Sequence, residues 1–219
     1  MAIAFIDSCF STAASSSLVT SSAMDSTGAD FLVVAIGGFR AKFVSTVVTD
    51  NKGNEFFPMT SSSDDNASAL IYYCSNPTVG SSHTFTYSEA GTYPSITAIA
   101  FSSVGCLETQ NWSGHLASNT VSTGSVTAAS DGSLFIVAGC AQAGTFSSID
   151  SSFTLENANA YSANVSMGSC MAYKIQTTAS SENPTLTNSG SAAISASIAC
   201  FNPSQPSGGG ATVHPLYAN

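Results

Sequence analysis

Side chains able to do chemistry are few and widely spaced in this 219-residue chain. Its three histidines, His83, His115 and His214, have no partner at i+2 or i+4. A zinc site would need three or four ligands brought together from separate strands, so each imidazole is expected to stand alone, at the surface or half buried. Asp50, Asn54 and Glu55, with Asp64 and Asp65 on a nearby loop, are the oxygen donors that calcium would use. They lack the D-x-D-x-D-G rhythm of a calcium loop, and the expectation is a solvated turn with an acidic rim. Serine is too abundant to mark a nucleophile, and no G-x-S-x-G elbow occurs. The 13 acids lie mostly in turns and single out no carboxylate pair for glycoside hydrolysis. No catalytic residue, metal or cofactor is assigned, and no enzymatic activity is expected.

Aromatic side chains offer a different chemistry, stacking on a sugar ring. Trp112, Tyr72, Tyr87, Tyr93 and Tyr161 are the candidates, with Trp112 the possible glycan contact. They belong to different strands, and cross-strand packing is the simpler expectation. Asn66-Ala-Ser68, Asn111-Trp-Ser113 and Asn164-Val-Ser166 fit the glycosylation sequon, but no export signal accompanies them. The start, MAIAFIDSCF, has no basic segment, and Asp7 interrupts its apolar run, so it is not read as a signal peptide. Maturation in a reducing compartment then favours free, buried thiols acting as small hydrophobes at Cys9, Cys74, Cys106, Cys140, Cys170 and Cys200, with disulfides between strands as the alternative.

What must position these residues is an all-β framework. Only 8% of the chain is charged, against about a quarter in ordinary domains. Small residues and Thr take that space, and no sustained helical periodicity appears. Net charge is −9, with four basic residues, Arg40, Lys42, Lys52 and Lys174. That balance disfavours phosphate backbones and anionic membrane surfaces. No apolar run approaches the roughly 18 residues of a membrane span.

The organising stretch is Ala69 to Phe101, ALIYYCSNPTVGSSHTFTYSEAGTYPSITAIAF. It predicts strands over 69–74, 83–87 and 95–101. Before it, strands are expected over 2–10, 17–24, 31–39, 44–49 and 55–60, with a tight turn at Asp50-Asn-Lys-Gly-Asn54 and a polar loop over 61–66. FLVVAIGGF, 31–39, has the continuous apolar character of a strand buried on both faces. The pattern then recurs at an offset of 100 to 103 residues: Phe31 to Leu134, Val34 to Val137, Tyr73 to Tyr173, Phe101 to Phe201. Strands are expected in the second copy over 109–114, 124–129, 134–140, 152–156, 170–177, 184–187 and 192–201. The reading is an internal duplication: two sequence-similar antiparallel β-sandwich halves, jelly-roll-like and packed in tandem, over 1–105 and 106–202. Residues 203–219 form a Pro/Gly-rich arm whose apolar anchors, Val213, Leu216 and Tyr217, are expected to make assembly contacts on a neighbouring subunit, with packing on the chain's own sandwich as the alternative.

The string VTDNKGNEF, followed by IYYCSNPTVGSSHTFTYSEAGTYPSITAIAFSSVG, resembles a β-sandwich module of tailed-phage and metagenomic viral structural proteins. The second copy, AYKIQTTASSENPTLTNSGSAAISASIACF, resembles that module's usual C-terminal partner. One departure is Ser102-Ser103-Val104, where the family often has Ser-Gly-Val. The resemblance implies a non-enzymatic virion structural protein at the particle surface, a capsid decoration protein first of all. Its partners would be copies of itself and other virion proteins. A glycan-binding host-attachment module, and a subunit of an extracellular filament or surface layer, are the alternatives.

Overall fold

A computed structural model of the chain describes residues 1–12, 15–41, 47–59, 62–64 by backbone only, and 66–204. The arm anchors Val213, Leu216 and Tyr217, together with His214, Lys42 and Asp65, lie outside the described residues. Seventeen strands and no helix are found among them. The first half holds β1 (Ala4–Thr12), β2 (Leu18–Thr20), β3 (Phe31–Gly38), β4 (Val48–Asp50), β5 (Phe57–Pro58), β6 (Ser62–Asp64), β7 (Ala67–Ser75), β8 (Phe85–Ser88) and β9 (Ser95–Ser102). The second holds β10 (Val104–Ser122), β11 (Val126–Thr127), β12 (Leu134–Ala141), β13 (Phe146–Ile149), β14 (Thr154–Asn159), β15 (Gly168–Ile175), β16 (Ser181–Glu182) and β17 (Thr185–Pro203).

Two six-stranded antiparallel sheets carry the fold. One runs β1-β9-β3-β7-β5 with β6 beside β7, the other β10-β17-β12-β15-β14 with β13 beside β17. Their registers match position for position. Phe31 pairs with Phe101 and Ser75 in the first sheet; Leu134 pairs with Phe201 and Ile175 in the second. A bulge falls between Phe5 and Asp7 in β1 and between Leu107 and Thr109 in β10. In each half the chain crosses repeatedly to a smaller outer layer. That layer is the sheet β2-β8-β4 in the first half. In the second half the β11-β16 pair and the outer ends of β10 and β17, with β13, fill the same place.

The result is four stacked layers. Alternation along β3 sends Phe31, Val33 and Ala35 into a central core shared with Leu134, Ile136 and Ala138 of β12. Leu32, Val34 and Ile36 point the other way, onto the β2-β8-β4 layer. Phe135 and Val137 do the same in the second half. This is why FLVVAIGG and LFIVAGCA are continuously apolar: all eight residues of each strand are buried. Fully burying a side chain such as Phe31, Phe101, Phe135 or Phe201 contributes roughly 1.5–3 kcal/mol.

Several elements differ from the sequence reading. The strand expected over 109–114 extends to the 19 residues of β10, and those expected over 184–187 and 192–201 merge into the 19-residue β17. The two bend together from the large sheet into the outer layer. Register shifts between His115 and Ser118 and between Ser118 and Thr120 allow the bend, in a stretch of small residues that periodicity reads as a gap. Ser62–Asp64, inside the expected polar loop, pairs with Ala67–Ala69 as a hairpin. Ser103 takes a left-handed φ of 63°, the conformation that glycine adopts without cost. The Asp30 carboxylate holds it there by accepting the Ser103 and Val104 N–H groups at 2.8 and 3.2 Å.

Candidate functional site

The residues singled out for chemistry separate into three places. The first is buried. Asp50 ends β4 and caps the hairpin that follows, its Oδ1 accepting the N–H groups of Lys52 and Asn54, both at 3.0 Å. Its Oδ2 accepts from Asn54 Nδ2 at 2.6 Å and from His83 Nε2 at 2.8 Å. The other ring nitrogen of His83, Nδ1, lies 2.8 Å from Ser26 Oγ. His83 and Ser26 have no exposed surface, which corrects the expected half-buried or surface imidazole. A serine, a histidine and an aspartate thus stand in a row, the constellation of acyl-transfer nucleophiles. Ser26 Oγ, however, is 3.1 Å from both the Gly80 N–H and the Gly80 carbonyl, so its donor and acceptor capacity is spent. No substrate carbonyl can reach it through the burial. The row is a staple joining three turns.

Of the oxygen donors considered for calcium, Asp50 already has its own protein partners. Its lone pairs are committed to four protein donors, which leaves none for a cation. Among the described residues no three His, Cys, Asp or Glu side chains cluster to hold a metal ion. Burial pushes the Asp50 carboxyl up, but hydrogen bonds from Asn54, His83 and Lys52 outweigh it and hold the group below the usual carboxylate range. In the second half, Glu182 occupies the pairing position of His83: Met24 bridges to His83, and Val126 pairs with Glu182. Glu182 Oε1 accepts from Lys174 Nζ at 2.6 Å and Gln176 Nε2 at 2.8 Å.

The second place is a cleft of about 250 Å3 at one end of the seam between the two large sheets. Phe39 enters it just past β3, Tyr93 just before β9 and Gln142 just past β12. Tyr161, Asn164 and Met167 come from the loop joining β14 to β15. Backbone bonds frame it: Phe39 N–H to Thr92 C=O at 2.6 Å, Met167 N–H to Tyr93 C=O at 2.8 Å, and Tyr161 N–H to Gly144 C=O at 2.8 Å. Tyr93 and Asn164 both adopt left-handed backbone, with φ of 47° and 58°. Of the five aromatic residues proposed from the sequence, only Tyr93 and Tyr161 meet here. Tyr72 and Tyr87 are fully buried between the first large sheet and its outer layer. Phe39 and Gln142 gave no sequence signal, because nothing local distinguishes an aromatic or an amide at a strand end from its neighbours.

The third place is the edge of the second large sheet. Trp112 projects from β10 with 44% of its surface exposed, and Leu116, four residues on, is 70% exposed. From Thr109 to His115 β10 pairs with β17 without a break. Among the described residues no strand pairs with its outer side. The six cysteines are free, as expected; five are buried and Cys106, on this same strand, is exposed. Burial pushes the Cys9 and Cys74 thiols up to about 11 and the Cys140 and Cys200 thiols up to about 12.

Compared with family models, curated proteins and solved structures, the chain matches none of them.

Proposed function

We propose that this chain is a non-enzymatic structural subunit of a larger particle, of the virion-surface kind that its sequence resemblance implies, with capsid decoration as the leading role. The single observation that carries the reading is the pair of apolar side chains, Trp112 and Leu116, that β10 exposes, apolar area that another chain can cover. Over its 19 residues β10 has one carboxylate, Glu108, and no Lys or Arg, and it exposes Trp112 and Leu116. A surface of Ser, Thr, Ala and Gly can be covered by another copy without desolvating many ions. The matching registers of the two halves fit an ancestral duplication, the means by which one module could come to present two related edges.

Analytical ultracentrifugation across a concentration series tests this. The native chain should associate, and the double substitution Trp112→Lys with Leu116→Lys should shift it to monomer with its melting temperature within a few degrees of native. A native chain that stays monomeric throughout, or a variant that associates as before, refutes assembly through this edge.

A further inference from the structure

We propose that the cleft at the seam of the two halves is a binding site for one neutral sugar ring, independent of the assembly edge. Four observations converge on it. Its wall is aromatic on one side, with Phe39, Tyr93 and Tyr161 all half buried, the surface on which the C–H face of a pyranose stacks. Its rim carries the Gln142 and Asn164 amides, which make no side-chain hydrogen bond among the described residues. Each primary amide offers two donors and one carbonyl acceptor. That combination suits adjacent sugar hydroxyls, which both donate and accept.

Size limits the ligand. At about 250 Å3 the cleft is below the roughly 300–1,000 Å3 typical of sites for drug-sized molecules, so it holds a single ring and not a chain lying lengthwise. Charge limits it further. Among the described residues no carboxylate, lysine or histidine lines the cleft. A charged ligand desolvated there would lack a partner on the wall, and a molecule of net charge −9 repels anions on approach. Arg40 has its guanidinium carbon 5.2 Å from the Phe39 ring centroid and is not on the lining.

Backbone conformation adds to these four. A bulky residue such as Tyr93 seldom takes positive φ, and strained conformations gather where function, not packing economy, places a side chain. Here two left-handed residues, Tyr93 and Asn164, both turn toward one cleft. The frame of interlocking backbone bonds keeps the site preformed, so little ordering cost falls on binding.

Saturation-transfer NMR on the full chain is the test. The probes are the methyl glycosides of glucose, galactose, mannose and N-acetylglucosamine, with methyl glucuronoside as the charged control. At least one neutral glycoside should receive saturation, strongest at its ring C–H protons, while the glucuronoside should not. The double substitution Gln142→Ala with Asn164→Gly should weaken binding at least tenfold at unchanged melting temperature, since glycine accepts the left-handed φ at 164. Trp112→Ala should bind as the native chain does. Transfer to no neutral glycoside, preference for the charged one, undiminished binding by the amide variant, or loss of binding in Trp112→Ala would each overturn the proposal.

Discussion

His83 has no exposed atom, yet each ring nitrogen has a partner: Asp50 on Nε2 and Ser26 on Nδ1, both at 2.8 Å. Because the Asp50 carboxylate can only accept, Nε2 carries a proton. The ring also stacks on Phe85, centroids 4.5 Å apart. Removing one member would leave a buried polar atom of its neighbour short of one partner, which is the costly case. Asp50 supplies the pH dependence. Its folded pKa lies below the ordinary value, which is about 3.9. The stability it contributes is therefore complete above about pH 4 and is lost as pH falls through the folded pKa. Asp50→Asn should lower stability by about 1.5–3 kcal/mol at pH 7, the usual worth of a hydrogen bond to a charged group. It should also flatten the fall in stability below about pH 4. Urea midpoints of both proteins from neutral to acid pH decide it; equal acid slopes would count against the staple.

At the scale of elements, the two large sheets do not meet evenly. Toward one end β3 offers Gly37, whose added Cβ would stand 2.5 Å from Ser169 Cβ on β15. Hydroxyls bridge the sheets there. Ser95 Oγ is 2.7 Å from Ser169 Oγ, and Ser197 Oγ donates to the Ala69 carbonyl at 2.7 Å. Small residues thus let the backbones approach, and Ser95 and Thr97 of β9 and Ser195 and Ser197 of β17 are buried in the core. Gly37→Ala should force the sheets apart and destabilise by about 1–3 kcal/mol, the usual range for overpacking, read as a lower denaturant midpoint with an unchanged slope. A neutral result would show that β3 and β15 separate at no cost.

For the whole molecule, the opposite end of the seam decides cooperativity. Phe101 of the first half meets Tyr173 of the second at 5.3 Å between centroids, and Phe201 of the second meets Tyr73 of the first at 5.5 Å. The reciprocal pairing is that of a two-fold interface, here inside one chain. With the central core shared by both halves, neither half can keep its own large sheet covered after the other unfolds. Scanning calorimetry should show one transition, with calorimetric and van't Hoff enthalpies equal. Two resolved transitions would mean that the halves are independent domains.

Periodicity alone determined much of this architecture. Strands over 31–38, 95–102 and 134–141 lie within a residue or so of their expected ends, because strands buried on both faces leave an uninterrupted apolar run. Phe31 and Leu134 each open such a run, and both fill the central core. What the sequence could not determine was which faces meet. Alternation says that Phe31 and Leu32 point opposite ways, but not that Phe31 faces the other half while Leu32 faces its own outer layer. That choice rests on complementary shape between distant residues, such as Gly37 against Ser169. The seam cleft is a consequence of it. Phe39, Tyr93, Gln142 and Tyr161 share no spacing, and only the stacking of two sheets brings their strand ends together. His83 was misread for a related reason. A lone imidazole in a polar stretch looks exposed until tertiary structure places a carboxylate on one nitrogen and a hydroxyl on the other.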